Sequence, residues 1–306
     1  MRLLVVGGGG FVGGRTVRLA LARGAEVTVV EAPGRAGRIA DLEGRVNVLE
    51  SGNFAEALRR ARPDAVIWAA GHNPGGEGLA RAARDDVAAA VAGNAGAFAA
   101  LLAACAEAGV PRVVACGSSV VYGPATLYPG LVDEAAPLAP MTAYGLSKEM
   151  AERAADWARR SLGLGVVTVR LPLVLGPGRW YGGAAAFLDR LLRAAARGAP
   201  AYENVPDGPF DGAHGDDAAE ALLALAGRRG GPPVLNLTGF IATWAEVAAT
   251  LRDLRPGADL AVTPRAADGA LPLMDGALLR AALATTPRGL RETLSDALEE
   301  MSEMTA

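Results

Sequence analysis

The chain has 306 residues, of which 51% are hydrophobic and 21% charged, with a formal net charge of −3 at pH 7. Such a chain can bury a large core, and the acidic balance with no basic run argues against nucleic acid as a partner. No apolar run approaches the roughly 20 residues of a membrane span, and the first predicted strand follows Met1 directly, so we expect no membrane, no signal peptide and a cytoplasmic location. Cys105 and Cys116 do not have the spacing of metal ligands, and we predict that both are buried free thiols.

The first 31 residues predict a strand, a glycine turn, a helix and a second strand that ends in an acid. The apolar runs are Leu3–Val6 and Val27–Val30, and the amphipathic segment between them is Phe11–Arg23. Glycines without a Cβ let a pyrophosphate approach a helix N-terminus, and an acid after the second strand can bind the ribose hydroxyls. The predicted dinucleotide-binding residues here are Gly7, Gly10, Phe11, Val12, Gly13 and Glu31.

The choice of cofactor depends on the acid at the end of the second strand. The Glu31 carboxylate favours NAD, because it repels the 2′-phosphate of NADP. Arg35 lies four residues further on and leaves NADP as the less favoured alternative.

Four more apolar runs alternate with helical segments. The predicted strands are Val46–Leu49, Ala65–Trp68, Val113–Ala115 and Val166–Val169, and the predicted helices are Phe54–Arg62, Asp85–Ala108 and Ala143–Leu162. Continuous apolar strands alternating with helices indicate an α/β fold, a Rossmann-type doubly wound parallel sheet.

Ligands of this fold class bind beyond the carboxyl ends of the strands. Further cofactor contacts are therefore expected at Gly52, Asn53, Ala69, Ala70 and Gly71, and substrate contacts at His72 and Asn73. Asn94 interrupts an alanine-rich helix either as a local defect or as a hydrogen-bonding node. We favour the node and count Asn94 with the cofactor site.

The pattern loosens after residue 175 and predicts a smaller C-terminal lobe. Its predicted elements are the helices Ala184–Arg197, Asp216–Arg228, Trp244–Leu254 and Gly289–Met301, the strand Val234–Leu237 and a loop over 198–215. We assign residues 1–175, with 212–240 returning, to an NAD-binding Rossmann domain. Residues 176–211 and 241–306 form the predicted substrate-binding lobe.

Three polar residues form the predicted catalytic group. Tyr144 and Lys148 are four apart and share one face of a predicted helix, and Ser118 ends the fifth strand. An ammonium beside a phenol lowers the pKa of the phenol and makes it a general base near neutral pH. A Tyr and a Lys four apart also occur on ordinary helix surfaces, so the preceding dinucleotide fold and Ser118 carry the catalytic interpretation.

Several motifs together identify a family. They are Gly7, Gly10 and Gly13, the run from Ser118 to Gly123, Tyr144 with Lys148, Arg170-Leu-Pro172, Gly176-Pro177, His214-Gly-Asp216-Asp217 and Asn236-Leu-Thr. In these the chain resembles the extended short-chain dehydrogenase/reductase family, which includes nucleotide-sugar 4-epimerases and dehydratases. The resemblance implies a catalytic hydroxyl at Ser118, acid/base chemistry at Tyr144 with Lys148 as its partner, and cofactor contacts at Leu171 and Pro172. It also implies a homodimer that pairs through the two long helices.

The chain departs from the family's pattern where substrate is bound. Pro209-Phe210-Asp211 lacks the arginine that grips the substrate diphosphate in many epimerases, and Arg179 or Arg190 are the candidates to replace it. Ser119 and Val120 stand where dehydratases have an acidic pair, so dehydration is not expected. The candidate substrate-binding residues are His72, Asn73, Ser119, Arg179, Trp180, Tyr181 and His214, and for each a structural role is equally open.

The leading hypothesis is an NAD-dependent epimerase or oxidoreductase that acts on a secondary hydroxyl of a sugar or nucleotide sugar, through a transient ketone. The second is a net dehydrogenase or ketoreductase on a smaller hydroxy or keto substrate. The third is a non-catalytic, NAD-sensing scaffold of the same fold. The partner in the first two cases is a small molecule, most simply a carbohydrate.

Overall fold

A computed structural model of the chain describes residues 1–34, 36–179, 181–183, 186–266 and 269–303. Two residues considered in the sequence, Arg35 and Trp180, lie outside this part of the chain.

The main sheet consists, in the described residues, of seven parallel strands. These strands are β1 Arg2–Val6, β2 Glu26–Glu31, β3 Asn47–Glu50, β4 Ala65–Trp68, β5 Arg112–Ser118, β6 Gly165–Leu171 and β10 Val234–Asn236. Their order across the sheet is β10-β6-β5-β4-β1-β2-β3. From β1 the strands β2 and β3 follow toward one edge of the sheet, and β4, β5 and β6 then follow toward the other edge. This change in strand order between β1 and β4 defines a doubly wound fold and confirms the predicted fold class.

Helices cover both faces of this sheet. The α-helices are α1 Phe11–Ala22, α2 Phe54–Ala61, α3 Leu79–Asp85, α4 Val87–Val91, α5 Ala97–Glu107, α6 Ala143–Leu162, α7 Ala186–Arg197, α8 Gly215–Ala226, α9 Trp244–Leu254, α10 Ala277–Leu283 and α11 Leu290–Glu303. Side chains of a strand alternate between the two faces, so Leu3 and Val5 pack with α1 and α8 while Leu4 and Val6 pack with α2, α5 and α6. Each apolar strand therefore serves two cores.

Two small sheets lie beyond the main one. Strands β7 Leu173–Leu175, β9 Phe210–His214 and β11 Phe240–Ala242 form one, and β8 Ala201–Pro206 pairs in parallel with β12 Leu260–Arg265 in the other. The predicted loop over 198–215 is therefore wrong, since it holds β8 and β9. The partner of β8, strand β12, is distant in sequence. Most side chains of β8 are exposed or half-buried, so β8 has no apolar run that would mark it as a strand.

The helix predicted over Asp85–Ala108 is interrupted. Asp86 caps α4 by accepting a hydrogen bond from Ala89 N at 2.9 Å, and a π-helical turn, Ala92–Gly96, separates α4 from α5. Asn94 lies in that turn, fully buried; its Nδ2 donates to Ser147 Oγ at 2.9 Å and its Oδ1 accepts from His72 N at 2.7 Å. It is thus both a helix irregularity and a hydrogen-bonding node between α6 and the segment after β4.

The helical run Val87–Glu107 is long and apolar enough, by length and composition, to cross a membrane, with a mean hydropathy of 1.8. The expectation that no apolar run is long enough to span a membrane is therefore wrong in terms of length and composition. Its large side chains, Phe98, Leu101 and Leu102, are buried against the main sheet, and 33% of its apolar window is buried in the structure. Both cysteines are free and buried, as predicted, and burial raises the pKa of Cys105 to about 12 and of Cys116 to about 11.

Candidate active site

A cavity of about 330 Å³ lies beyond the carboxyl ends of β1, β4, β5 and β6, where a doubly wound sheet binds its ligand. Fifteen residues anticipated from the sequence line it: Gly10, Phe11, Val12, Ala69, Ala70, Gly71, Asn73, Ser118, Ser119, Tyr144, Lys148, Leu171, Pro172, Arg179 and Tyr181. The fold therefore brings the glycine turn and the Ser-Tyr-Lys group to one cavity.

The glycine turn leaves no room for side chains. Gly7 has φ +84°, and a Cβ there would lie 2.6 Å from Ala70 N; a Cβ on Gly13 would lie 2.1 Å from Gly7 O. The first residues of α1 line the cavity, and the first turn of α1 itself holds no acid, so no carboxylate of the helix opposes the positive end of its dipole. This bare, positively polarised backbone fits a pyrophosphate.

The acid predicted to bind ribose contacts the same turn. Glu31 is buried at the end of β2, and its Oε1 accepts a hydrogen bond from Gly9 N at 2.5 Å. The carboxylate is thus held beside the glycine turn, where the sequence placed the ribose contact.

Two further predicted cofactor residues, Gly52 and Asn53, lie outside the cavity lining and are exposed. Asn53 caps α2 by accepting a hydrogen bond from Glu56 N at 3.1 Å. Asn, Asp and Ser are common N-caps, so this structural use of the side chain is readable from the sequence.

The catalytic candidates meet where β5 ends and α6 begins. Thr142 caps α6 by accepting from Gly145 N at 3.0 Å, which places Tyr144 in the first turn and Lys148 one turn later. The Tyr144 and Ser118 side chains interact, and all three side chains are buried. Lys148 Nζ donates to Cys116 O at 2.9 Å and lies 5.8 Å from the centroid of the Tyr144 ring.

The electrostatics of this group differ from the expectation in one respect. Burial raises the pKa of Tyr144, although the hydrogen bond from Ser118 opposes the rise, and burial lowers the pKa of Lys148. The expected lowering of the phenol pKa by Lys148 is therefore wrong for the chain by itself. The low-dielectric surroundings penalise the phenolate, and the ammonium is directed to the Cys116 carbonyl.

Three of the other candidates divide by location. Asn73 and Tyr181 are in the cavity wall, whereas His72 is not; the backbone N–H of His72 binds Asn94. His214 is fully buried away from the cavity and caps α8 by accepting from Asp216 N at 3.2 Å. Its structural role was the alternative left open by the sequence.

The cavity also includes residues that no sequence motif predicted, among them Gly78, Leu79, Arg81, Gly182, Gly183 and Leu271. Gly78 has φ +106°, and glycines cluster in both the 75–78 and 182–183 segments. That clustering was the available signal for backbone that approaches a ligand or another loop closely. Nothing local to Leu271 marks it as a pocket residue.

A doubly wound sheet, a pyrophosphate cradle and a Ser-Tyr-Lys group in one cavity define a nicotinamide-dependent oxidoreductase-type enzyme. The sequence profile described as NAD dependent epimerase/dehydratase family matches residues 3–237. The chain belongs to this family and is an NAD-dependent enzyme of the extended short-chain dehydrogenase/reductase type, which confirms the resemblance.

Individual relatives differ in activity. The chain is 29% identical to the UDP-glucose 4-epimerase of Azospirillum brasilense, covering 84% of this chain and 81% of that protein. It is 32% identical to the D-erythronate dehydrogenase of Cupriavidus necator, covering 82% and 81% respectively. The crystal structure of the Thermus thermophilus UDP-glucose 4-epimerase in complex with NAD superposes with a TM-score of 0.82 at 25% identity, over 98% of this chain and 99% of that one.

Proposed function

We propose that this protein uses NAD to oxidise a secondary hydroxyl of a sugar or nucleotide sugar and, most simply, returns the hydride to the other face of the ketone as a 4-epimerase. The observation that carries the proposal is the meeting of Ser118, Tyr144 and Lys148 in the cavity that also holds the glycine turn. The family and its UDP-sugar 4-epimerase relative support it.

The chain's own residues perform the proton transfer. Tyr144 accepts the proton of the substrate hydroxyl, and Ser118 holds the same oxygen by a hydrogen bond; a bound NAD would supply the hydride acceptor. Burial penalises the Tyr144 phenolate in the chain by itself, and a bound oxidised nicotinamide would supply a positive charge that favours the phenolate. Reversal of both transfers on the opposite face of the ketone restores NAD and leaves the epimer.

A second candidate is net dehydrogenation of a smaller hydroxy acid. The relative named D-erythronate dehydrogenase supports it, as does the lack of a free arginine at the diphosphate position. The segment Pro209-Phe210-Asp211 holds no arginine, and Arg190 forms two hydrogen bonds with Glu203, of 2.5 and 2.7 Å.

One assay separates the two candidates. Absorbance at the reduced-nicotinamide band is followed with NAD and a panel of UDP-, GDP- and dTDP-sugars, free uronic acids and sugar acids, with product analysis of each mixture. Product without lasting NADH indicates an epimerase, and stoichiometric NADH indicates a dehydrogenase. Tyr144→Phe should abolish turnover and leave NAD binding intact; turnover by this variant would contradict the assigned chemistry.

We further propose a cytoplasmic homodimer with the two-lobe division given above. Three exposed apolar side chains, Leu146, Met150 and Trp157, follow one face of α6, beside the apolar run Val87–Glu107. If this face is buried against a second copy, the protein should be a dimer at micromolar concentration. The Trp157→Glu variant, which places a charge on this face, should be a monomer. A monomeric mass for the unaltered protein would rule the dimer out.

A further inference from the structure

Lys148 is the only lysine among the 30 lysine and arginine residues of the chain. It is buried, and its ammonium donates a hydrogen bond to Cys116 O at 2.9 Å. An ammonium removed from water loses its hydration, so burial favours the neutral amine. Lysine is therefore almost never fully buried without a partner of opposite charge. A carboxylate on the next turn of α6, that of Glu152, is in a position to be this partner.

The Glu152 and Lys148 side chains reach neighbouring points on β5. Glu152 lies four residues after Lys148, so the two share one face of α6. A Cβ on Gly117 would lie 3.3 Å from Glu152 Oε1, and Gly117 directly follows Cys116, whose carbonyl oxygen binds Lys148. The carboxylate and the ammonium are therefore directed at adjacent residues of one strand.

A small cavity of about 10 Å³ lies between α6 and the main sheet, and Lys148 and Glu152 both line it. Its other lining residues, among them Trp68 and Phe98, carry no charge. The space is no larger than one water molecule needs. The two charged side chains thus border the same small space in surroundings of low dielectric, where their attraction is stronger than in water.

Arg170 holds the Glu152 carboxylate from another side. Its Nη2 donates to Glu152 Oε2 at 2.8 Å, and its Nη1 donates to Tyr122 OH at 2.6 Å and to Glu134 O at 3.3 Å. Arg170 is not among the residues that line the small cavity. The carboxylate therefore lies between two cations, and it is the charge that Lys148 meets first.

The other titratable groups beside Lys148 are uncharged near neutral pH. Burial lowers the pKa of Lys148, and Cys116 and Glu152 oppose this effect. Burial raises the pKa of Cys116 to about 11 and also raises the pKa of Tyr144, so the thiol and the phenol keep their protons in the chain by itself. Of these three neighbours, Glu152 is thus the one that supplies a negative charge.

We propose that Glu152 is a positioning residue for the catalytic group, because its carboxylate keeps the Lys148 ammonium charged and fixed at Cys116 O. The ammonium is held there 5.8 Å from the centroid of the Tyr144 ring. Glu152 does not line the main cavity, so it acts through Lys148 and not on the substrate or the cofactor. The inference rests on the proposed function, in which Lys148 is the partner of Tyr144.

The single lysine allows its pKa to be measured directly. In protein labelled with [ε-¹³C]lysine, the one Cε signal is followed by NMR from pH 6 to 11, with and without NADH. Glu152→Gln keeps an acceptor for Arg170 and removes the negative charge, whereas Arg170→Met leaves the carboxylate without its cation. The control is Glu149→Gln on the same helix, whose partner Arg153 is 75% exposed. The same titration with Cys116→Ala removes the neighbouring thiol.

Glu152→Gln should lower the pKa of Lys148 by about 1, Arg170→Met should raise it, and Glu149→Gln should leave it nearly unchanged. Opposite directions in the first two variants cannot come from a shared loss of packing. If Glu152→Gln does not fold, replacement of both Glu152 and Arg170 by methionine takes its place, with the same expected direction. With a substrate that is turned over, the alkaline limb of the kcat–pH profile should move to lower pH in Glu152→Gln, and Glu152→Asp should restore most of it.

Four outcomes would overturn the inference. An unchanged Lys148 pKa in Glu152→Gln, or an equal change in Glu149→Gln, would leave Glu152 as a structural partner of Arg170. Changes of one sign in Glu152→Gln and Arg170→Met would indicate altered packing. A lowered Lys148 pKa with an unchanged kcat–pH profile would exclude a part in the reaction. The lysine titration needs no substrate, so an absence of turnover counts against the proposed function and not against the contact between Glu152 and Lys148.

Discussion

The catalytic helix is anchored to the main sheet by a buried ion pair, and removal of its acid is the most informative stability test. Arg170 on β6 donates to Glu152 on α6 through Nε at 3.0 Å and through Nη2 at 2.8 Å. Their side chains are 4% and 7% exposed. Arg170 Nη1 also donates to Tyr122 OH at 2.6 Å, so the guanidinium is held by a network.

Glu152→Ala should destabilise the protein by about 3–5 kcal/mol, because it leaves the Arg170 charge in the core without a counterion. Replacement of both partners by methionine should recover part of this loss, since the buried charge is then removed together with its partner. The large single-variant cost thus measures an uncompensated charge, not the net stability contributed by the pair.

The measurement is the free energy of unfolding from urea titration at pH 7, with Glu149→Ala as the control on the same helix. Glu149 pairs with Arg153 at 2.6 Å, but Arg153 is 75% exposed, so this pair should contribute only about 0.3–0.5 kcal/mol. A loss below about 1 kcal/mol for Glu152→Ala, or a loss equal to that of the control, would refute the reasoning.

Two further predictions concern the glycine turn and a buried acid. Gly13→Ala should abolish NAD binding in a fluorescence titration, because its Cβ would lie 2.1 Å from Gly7 O. The control Gly14→Ala should retain NAD binding, because the atom nearest to its Cβ, at 3.1 Å, is at the end of the flexible Arg18 side chain. Retention of NAD binding by both variants would contradict the steric argument. Burial raises the pKa of Asp211 from 3.8 to about 7, so the folded chain holds a proton that the unfolded chain releases, and stability should fall by up to about 4 kcal/mol as pH rises through this range. Asp211→Asn, whose side-chain oxygen can still accept from Met274 N, should flatten that dependence in urea titrations at pH 4 to 8; an unchanged slope would exclude Asp211 as its source.

Much of the fold and of the candidate site is determined by short stretches of sequence. Buried strands of a parallel sheet are apolar on both faces, so runs such as Leu3–Val6 identify themselves. A helix places residues four apart on one side, so Tyr144 and Lys148 belong together before any tertiary contact is known. The glycine turn is equally local, because its requirement is the absence of a Cβ.

Tertiary structure alone decided which partners the remaining polar side chains have. The capping role of Asn53 is readable from its own stretch of sequence, whereas the partners of Asn94, which are His72 N and Ser147 Oγ, come from two distant parts of the chain. Likewise β8 pairs with β12 from a distant part of the chain. The periodicity of the sequence indicates which face of an element is buried. A hydrogen-bond partner from elsewhere in the chain is determined by how the elements pack, and the shape and charge of the cavity follow from the same packing.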